Sequence, residues 1–565
     1  MATFSQSLQR GYAENPGRVS VILQHAGQPD LALTYRELLE GAHGYARGLA
    51  RRGVKPGDVV VLILQHGTDL VSAYWGTILQ GAIPSIMPFL TEKLSPERYR
   101  ADLAALIGVT RPAAIITYPE FEAEVREGLS AMDPREGGSR PVVLLPSDME
   151  PPSAPDFDSL PGLGRAEEDI VLLQHSSGTT GLQKGVALSH RAVLSQLDAY
   201  GEAIRLDPAN DLIVSWLPLY HDMGLIACFL LPILLGVPVA LMSPFDWVRA
   251  PYRLMEAVSR YRGTLTWLPN FAYNFCAQMI RPRHMEGVDL SSWRAVINCS
   301  EPVRAASHAV FIEKFAPYGL RPDALQTCYA MAENVFGVTQ SPMGAQPVTV
   351  AVDSAAFISE RLVRPATAGA PGLTLMSSGR TIKNTALRVV DEEDADLADG
   401  LVGELAIRSD SMLSGYYNRP DATEKAFAGG WYLTGDYGFV LDGEVFVAGR
   451  KKDLIIVGGK NIYPQDLEAL AGEVAGVHAG RVVAFGVYND ELGTEEVVII
   501  AEVEGRGADE SLRLANEVRS YVTKNSAVAL RRVEIVGPKW ILKTSSGKVA
   551  RGANKEKFLS EFNRS

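Results

Sequence analysis

Along the first ninety residues the apolar positions follow two periods. Tyr35, Leu38, Leu39, Ala42, Ala46 and Leu49 recur at helical spacing behind Thr34-Tyr35-Arg36-Glu37, a capping box in which hydroxyl and carboxylate satisfy each other's backbone N–H. This predicts a helix that Gly53 and Pro56 bring to an end. The run VVVLIL at 59–64 is continuously apolar and reads as a buried strand; a second helix follows from about Asp69, and a further strand lies around 83–87. Strands that are apolar on both faces and separated by helices indicate a parallel sheet covered on both sides.

Between 133 and 169 prolines and glycines accumulate, which predicts a surface crossing, and strand-like sequence resumes at Val171. Helix and strand patterns then alternate to about residue 390. Beyond it β patterning takes over, at 403–407 and in two runs, 439–441 and 445–447, that flank Asp442-Gly443, a two-residue hairpin signal. After Arg450-Lys451-Lys452-Asp453 the pattern resets. A strand at 454–457, a helix from Pro464, strands near 481–485 and 497–503, a helix from about Glu510 and a strand at 533–536 predict a compact α+β unit with a core separate from what precedes it. The uncharged stretch 225–242 has 18 residues, near the lower limit for crossing a bilayer. Pro232, Gly236 and Pro238 interrupt it, so it reads as a buried helix, a turn and a short strand, with no membrane span.

With 565 residues the chain is too long for one ordinary core, and 47% apolar against 21% charged residues excludes a disordered chain. Its net charge of −12 gives no global field for polyanions, so no nucleic-acid partner is expected. Cys228, Cys276, Cys299 and Cys328 stand singly, without a C-x-x-C pair, which suits a reducing, cytoplasmic location better than a disulfide framework or a zinc site. The first residues carry no apolar run of the kind a secretory leader needs.

The strongest chemical feature is Ser176-Ser177-Gly178-Thr179-Thr180-Gly181-Leu182-Gln183-Lys184-Gly185, directly after a predicted strand at 170–174. Small hydroxyls and glycines leave backbone N–H groups uncovered, and with one lysine such a run reads as a phosphate cradle. It is not a Walker A loop, because Gln183 stands where that motif requires glycine. Taken alone, a Gly/Ser/Thr run also fits a plain surface loop.

Together with Leu188-Ser189-His190 this segment resembles the phosphate loop of the adenylate-forming superfamily, which includes acyl-CoA synthetases, fatty acyl-AMP ligases, peptide-synthetase adenylation domains and luciferases. Further motifs of that superfamily follow in order over essentially the whole chain: Pro218-Leu219-Tyr220-His221-Asp222, Ser300-Glu301-Pro302, Tyr329-Ala330-Met331-Ala332-Glu333, Thr434-Gly435-Asp436, Gly449-Arg450-Lys451-Lys452-Asp453, Asn461-Ile462-Tyr463-Pro464 and Thr544-Ser545-Ser546-Gly547-Lys548. The resemblance implies an α/β multidomain fold. A large N-terminal adenylation core, 1–449, would comprise two α/β subdomains and a β-rich one; a hinge at 450–453 would centre on Lys452; and a small mobile α+β domain, 454–565, would carry the catalytic lysine.

The implied reaction is attack of a carboxylate on the α-phosphate of ATP, giving acyl-AMP and pyrophosphate. Both partners are anionic, so positive charge is needed in line with the transfer. Lys548 is the residue implied for that task, with His221 bordering the carboxylate. ATP would be held by Ser176, Ser177, Gly178, Thr179, Thr180, Gly181 and Lys184 at the phosphates. Ser300, Glu301, Pro302 and the backbone near Cys328 would recognise the adenine, with Tyr329 stacking on it; Ala330, Met331 and Ala332 would complete the ATP-binding set, and Asp436 and Arg450 would meet the ribose and phosphate side. Glu333 is implied as the Mg²⁺ ligand. Trp216, His221, Trp267, Phe271 and Ala330 would line an acyl pocket, and Phe229, Tyr273 and Phe275 add to an aromatic density that a plain core would show equally. Gly458, Gly459 and Lys460 would face the thiol acceptor.

Two departures bear on the product. Ala330 and Ala332 replace the Gly and Thr usual in Y-G-x-T-E. The segment 334–390 is longer than in compact acyl-CoA synthetases and resembles the insertion of fatty acyl-AMP ligases, where it hinders rotation of the small domain. This favours transfer to the phosphopantetheine of an acyl carrier protein, with CoA and a complete acyl-CoA synthetase as the alternative. An amino-acid adenylation domain finds no clear acidic residue to hold an α-ammonium, and a catalytically dead binding protein has no need of a mobile lysine.

Overall fold

A computed structural model describes residues 3–562 apart from 90–95, 131–139, 177–183, 368–371, 458–459, 479, 490–493, 506, 527, 529, 531 and 545–546, together with the side chains of 96–98, 102, 176, 460 and 461. The opening βαβ unit is as the pattern predicts. Thr34 and Glu37 form the capping box of helix Tyr35–Arg51, and strands Val59–Ile63 and Ile83–Ile86 pair in parallel on either side of helix Thr68–Leu79. Ala114–Thr117 and Val142–Leu144 extend that sheet to four strands. Val142–Leu144 lies inside the segment read as a plain surface crossing; three residues are too few to show a period.

A second, nine-stranded sheet runs from Arg380–Thr381 through Gly337–Gln340, Leu325–Ala330, Ala295–Asn298, Leu265–Leu268, Ile213–Ser215, Val239–Met242 and Val19–Gln24 to Leu31–Thr34. Its central strands are parallel and fully buried, as their continuous apolar sequence requires. The uncharged stretch forms helix through Met223–Leu230 and Leu231–Leu235, ends at Gly236 in the left-handed region (φ 76°) and enters strand Val239–Met242. Among the described residues no helix is long and apolar enough to cross a membrane.

The β-rich part follows at Thr385–Val390, Gly403–Ser409, Phe427–Ala428, Trp431–Leu441 and Glu444–Arg450, with Asp442 (φ 53°) and Gly443 (φ 76°) making the predicted two-residue turn. The C-terminal α+β part packs helices Pro464–Gly472, Ala508–Asn525 and Arg551–Phe562 on strands Val482–Asn489, Thr494–Glu502 and Arg532–Val536. The expected fold class is present.

The expectation of a separate C-terminal core needs correction. One buried cluster passes from Val352, Phe357, Phe439 and Phe446 without a break into Ile455, Ile462, Tyr463, Leu467 and Val482. Val352 and Phe357 belong to the long segment after residue 334, where strands Thr349–Asp353 and Gly372–Met376 pair and helix Ser354–Glu360 leans on strand Lys460–Ile462. Only the opposite face, with Val483, Phe485, Val498, Ile500 and Phe558, forms a cluster of C-terminal residues alone. The sequence reset at residue 450 marks a change of pattern but not the edge of an apolar core.

Candidate active site

A cleft of about 2390 Å³ lies where the large sheet, the β-rich part and the C-terminal part meet. Strand Ile213–Ser215 leads into its floor through Trp216, Pro218, Tyr220, His221 and Asp222. The chain turns sharply here. A Cβ on Gly224 would stand 2.2 Å from the Pro218 carbonyl oxygen, so only glycine permits the approach. The turn sets the Asp222 carboxylate on the N-terminus of helix Met223–Leu230, accepting from the Met223 N–H at 2.8 Å, with His221 Nδ1 at 2.6 Å. Burial penalises the Asp222 charge, but His221, its hydrogen bond and the Lys548 ammonium across the cleft outweigh that and hold its pKa down at about 2.

Lys548 reaches the cleft on a tight turn. The Thr544 N–H donates to the Lys548 carbonyl at 2.7 Å, the Lys548 N–H to Thr544 Oγ1 at 3.2 Å, and Gly547 adopts φ 88°. Opposite stands the end of strand Leu325–Ala330. The Tyr329 hydroxyl donates to Asp436 Oδ2 at 2.6 Å, and Asp436 Oδ1 lies 3.3 Å from Arg450 Nε across the hairpin that pairs residues 436 and 450. Tyr329, Asp436 and Arg450, from three distant motifs, thus form one constellation. Cys328 is buried beside it, and Ala330, Met331 and Ala332 line the same wall. All four cysteines are free and buried.

Glu333 follows on the turn Ala332–Asn334. Burial raises its carboxyl above the ordinary range although Tyr416 donates a hydrogen bond to it at 3.0 Å, and Tyr416 in turn meets the Tyr432 hydroxyl at 2.9 Å. Val335, fully buried, has φ 62° and ψ −56°, a conformation a β-branched residue seldom adopts, and it bends the chain two residues after Glu333. Lys184 places its ammonium 4.5 Å from the centre of the Tyr416 ring. Lys452, read as the hinge, is exposed at the cleft edge, where its charge faces those of Arg450 and Lys184.

Several sequence expectations fall elsewhere. Trp267 is not on the cleft: it is wholly buried in strand Leu265–Leu268 and donates to the Tyr200 hydroxyl at 2.9 Å. Phe229 and Tyr273 are core residues as well. The aromatic wall is Trp216, Phe271 and Phe275 with Trp247, which stacks on Trp216 at 3.6 Å between ring centres and 2° between planes. Glu301 lines the cleft, but its carboxylate accepts from the Phe271 N–H at 2.9 Å, fixing the first turn of helix Asn270–Met279; Ser300 (φ 70°) and Pro302 flank it on the cleft. Ser177, Gly178, Thr179, Thr180, Gly181, Gly458 and Gly459 lie outside the described residues, as do the side chains of Ser176 and Lys460. Strands Ile170–Ser176 and Lys184–Ser189, paired with residue 176 opposite 184, flank 177–183, and strands Ile455–Val457 and Lys460–Ile462 flank 458–459.

Residues that sequence reasoning did not single out complete the cleft. Asp222 was legible as the neighbour of His221. Trp247, Tyr416 and Arg304 carried no local signal. Arg304 Nη2 donates to Asp466 Oδ1 at 2.9 Å and to the Gln465 carbonyl at 3.1 Å, tying the large sheet's side of the cleft to helix Pro464–Gly472. Among the described residues no group of three or more His, Cys, Asp or Glu is placed to hold a metal ion by itself.

Against known proteins, the family model described as AMP-binding enzyme matches residues 8–417. A long-chain-fatty-acid–AMP ligase of Mycobacterium bovis, FadD26, is 31% identical over 557 residues, 94% of this chain and 92% of its own. A structure from work on fatty acyl-adenylate ligases of E. coli and L. pneumophila superposes with a TM-score of 0.89 at 26% identity, covering 100% of this chain and 99% of its own. A fatty acyl-adenylate ligase of L. pneumophila in complex with acyl adenylate and pyrophosphate gives 0.73 at 27% identity, with 99% and 96% covered.

Proposed function

Because the chain belongs to the AMP-binding enzyme family, we propose that it activates a fatty or otherwise apolar carboxylic acid with ATP, as a fatty acyl-AMP ligase. One carboxylate oxygen bonds to the α-phosphorus, the bond from that phosphorus to the bridging oxygen breaks, and pyrophosphate leaves with the electron pair. The observation that carries this reading is the convergence of His221, Glu333, Asp436, Arg450 and Lys548 on one cleft beside an aromatic wall.

The residues divide the work by their chemistry. Trp216, Trp247, Phe271 and Phe275 receive the acid's apolar part, and His221 borders its carboxylate. Asp436, with one oxygen on Tyr329 and the other near Arg450, keeps lone pairs for the ribose hydroxyls. The Lys548 ammonium reaches toward the α-phosphate and offsets the charge of two anionic reactants. Lys184 and Arg450 face the phosphates. Glu333 fits a Mg²⁺ site: its partly buried carboxylate lines the cleft, the charge of Arg450 does not offset its burial, and Mg²⁺ is commonly bound by one or two carboxylates with the remaining ligands from phosphates and water. Bound there, the ion would neutralise charge on the leaving pyrophosphate.

For the acceptor we favour a carrier-protein phosphopantetheine over free CoA. Support comes from the segment after residue 334, which shares a buried cluster with the C-terminal part and so opposes rotation about 450–453. Mass spectrometry of products from a carboxylic-acid panel with ATP and Mg²⁺, with and without CoA, tests both steps. Acyl-AMP that persists in the presence of CoA supports the adenylate reading, and clean conversion to acyl-CoA replaces it with a complete acyl-CoA synthetase. Lys548→Ala is expected to form neither product, and full activity in that variant would remove the lysine from the mechanism.

A further inference from the structure

Strand Ile170–Ser176 ends in the cleft with a residue whose chemistry nothing above uses. Its face that buries Leu172 in the main core carries Gln174 two positions on. Gln174 is 2% exposed and lines the cleft, and among the described residues neither its Nε2 nor its Oε1 has a hydrogen-bond partner. A leucine would suit the burial better, since an amide buried with both ends unpaired loses its water and gains nothing in return. The neighbouring His175 is held on Ser85 at 2.6 Å, so the strand end is fixed. Two features surround the amide. The strand packs against the turn Ala332–Asn334 that carries Glu333, and its hairpin partner brings in Lys184 two residues before Val186, the residue opposite Gln174.

We propose that Gln174 is a ligand-positioning residue for the polyphosphate end of Mg²⁺-bound ATP, its Nε2–H donating to a phosphoryl oxygen and its Oε1 accepting from a water of the metal's shell. This rests on the adenylating reading above. An amide suits such a place because it supplies a donor and an acceptor without adding charge between Lys184 and Glu333.

The test is equilibrium binding of two probes to the full chain, Mg²⁺-ATP and a non-hydrolysable acyl-AMP mimic that lacks pyrophosphate, compared across wild type, Gln174→Leu and Gln174→Glu. Gln174→Leu is expected to weaken Mg²⁺-ATP about tenfold or more, to leave the mimic within about twofold, and to keep or raise the melting temperature. Gln174→Glu, which repels the phosphates and cannot donate, is expected to weaken ATP further. Unchanged ATP affinity in Gln174→Leu, or equal weakening of both probes, overturns the proposal. A lowered melting temperature with unchanged ATP affinity in Gln174→Glu assigns the amide to folding alone and overturns it too. Failure of the wild type to bind Mg²⁺-ATP sinks instead the adenylating reading on which it rests.

Discussion

Arg304 offers the most direct test of how Lys548 is held over the cleft. Its guanidinium is three-quarters covered, and the Asp466 carboxylate it grips is 13% exposed. Burial pushes the Asp466 carboxyl up, and Arg304 is the cation that opposes this. Arg304→Ala therefore leaves a buried carboxylate unpaired. Breaking such a pair from one side costs about 3–5 kcal/mol if nothing moves. The chain has a cheaper course: helix Pro464–Gly472 withdraws, Asp466 regains water, and the part bearing Lys548 leaves with it. At tenfold per 1.4 kcal/mol, a loss of about 3 kcal/mol lowers the docked population relative to the undocked one roughly 150-fold. Single-turnover acyl-AMP formation, read by quenched flow, is expected to slow by up to that factor. ATP affinity should change little, because Tyr329, Asp436 and Arg450 are held by one another and not through Arg304 or Asp466. Arg304→Lys, which keeps the charge but not the two-point grip, should fall between. Wild-type single-turnover rates in Arg304→Ala would refute this account of docking.

Two further predictions concern ionisation. His66, His175, His190 and His308 are held near 4 by burial, against an ordinary 6.5. The unfolded chain takes up these protons first, so stability is full above about pH 6.5 and falls as the pH drops toward 4, by about 3 kcal/mol for each histidine at the low end. Melting temperature should decline steadily from pH 6.5 to 4.5, and a flat profile there would contradict the buried neutral state. For Glu333 the sign is opposite: its folded pKa is raised, so its ionised form opposes folding once the pH rises past the ordinary carboxyl range. Glu333→Gln is expected to raise the melting temperature at pH 7 while lowering acyl-AMP formation at limiting Mg²⁺, and a lowered melting temperature with full activity would sink both halves.

What the sequence made legible followed from local rules. Thr34 and Glu37 cap a helix wherever they stand three apart, and Asp442-Gly443 makes its turn because both residues tolerate positive φ. Lys548, Glu333, Asp436 and His221 were found through motifs, and the fold brings all of them to one cleft. Trp267 shows the limit. An aromatic residue on a buried strand looks the same in sequence whether its face meets a pocket or a neighbouring sheet layer, and here Tyr200 claims its N–H. Trp247 reaches the cleft only because helix Pro244–Arg249 lays it against Trp216, a contact between residues 31 positions apart that no period encodes. Arg304 and Asp466 are likewise joined by the fold alone.

The shared apolar cluster ties these observations to the choice of acceptor. A small domain that swings freely needs a polar boundary, since exposing a contiguous apolar face on each rotation costs roughly 25 cal/mol for every Å² uncovered. Here the boundary at residue 450 is crossed by Phe357, whose ring centre lies 5.6 Å from that of Tyr463, and Phe439 and Phe446, stacked on each other at 4.7 Å on the N-terminal side, share one buried cluster with Ile455 and Ile462. Arg304 and Asp466 add a polar latch on the cleft side. Under the proposed function both features would favour the arrangement that points Lys548 at the α-phosphate and oppose the one a free thiol would need. On the proposed reading, a preference for adenylate over thioester formation would reside in the packing between Phe357 and Tyr463, not in any residue that touches ATP, so Phe357→Ala is expected to raise the share of acyl-CoA among the products.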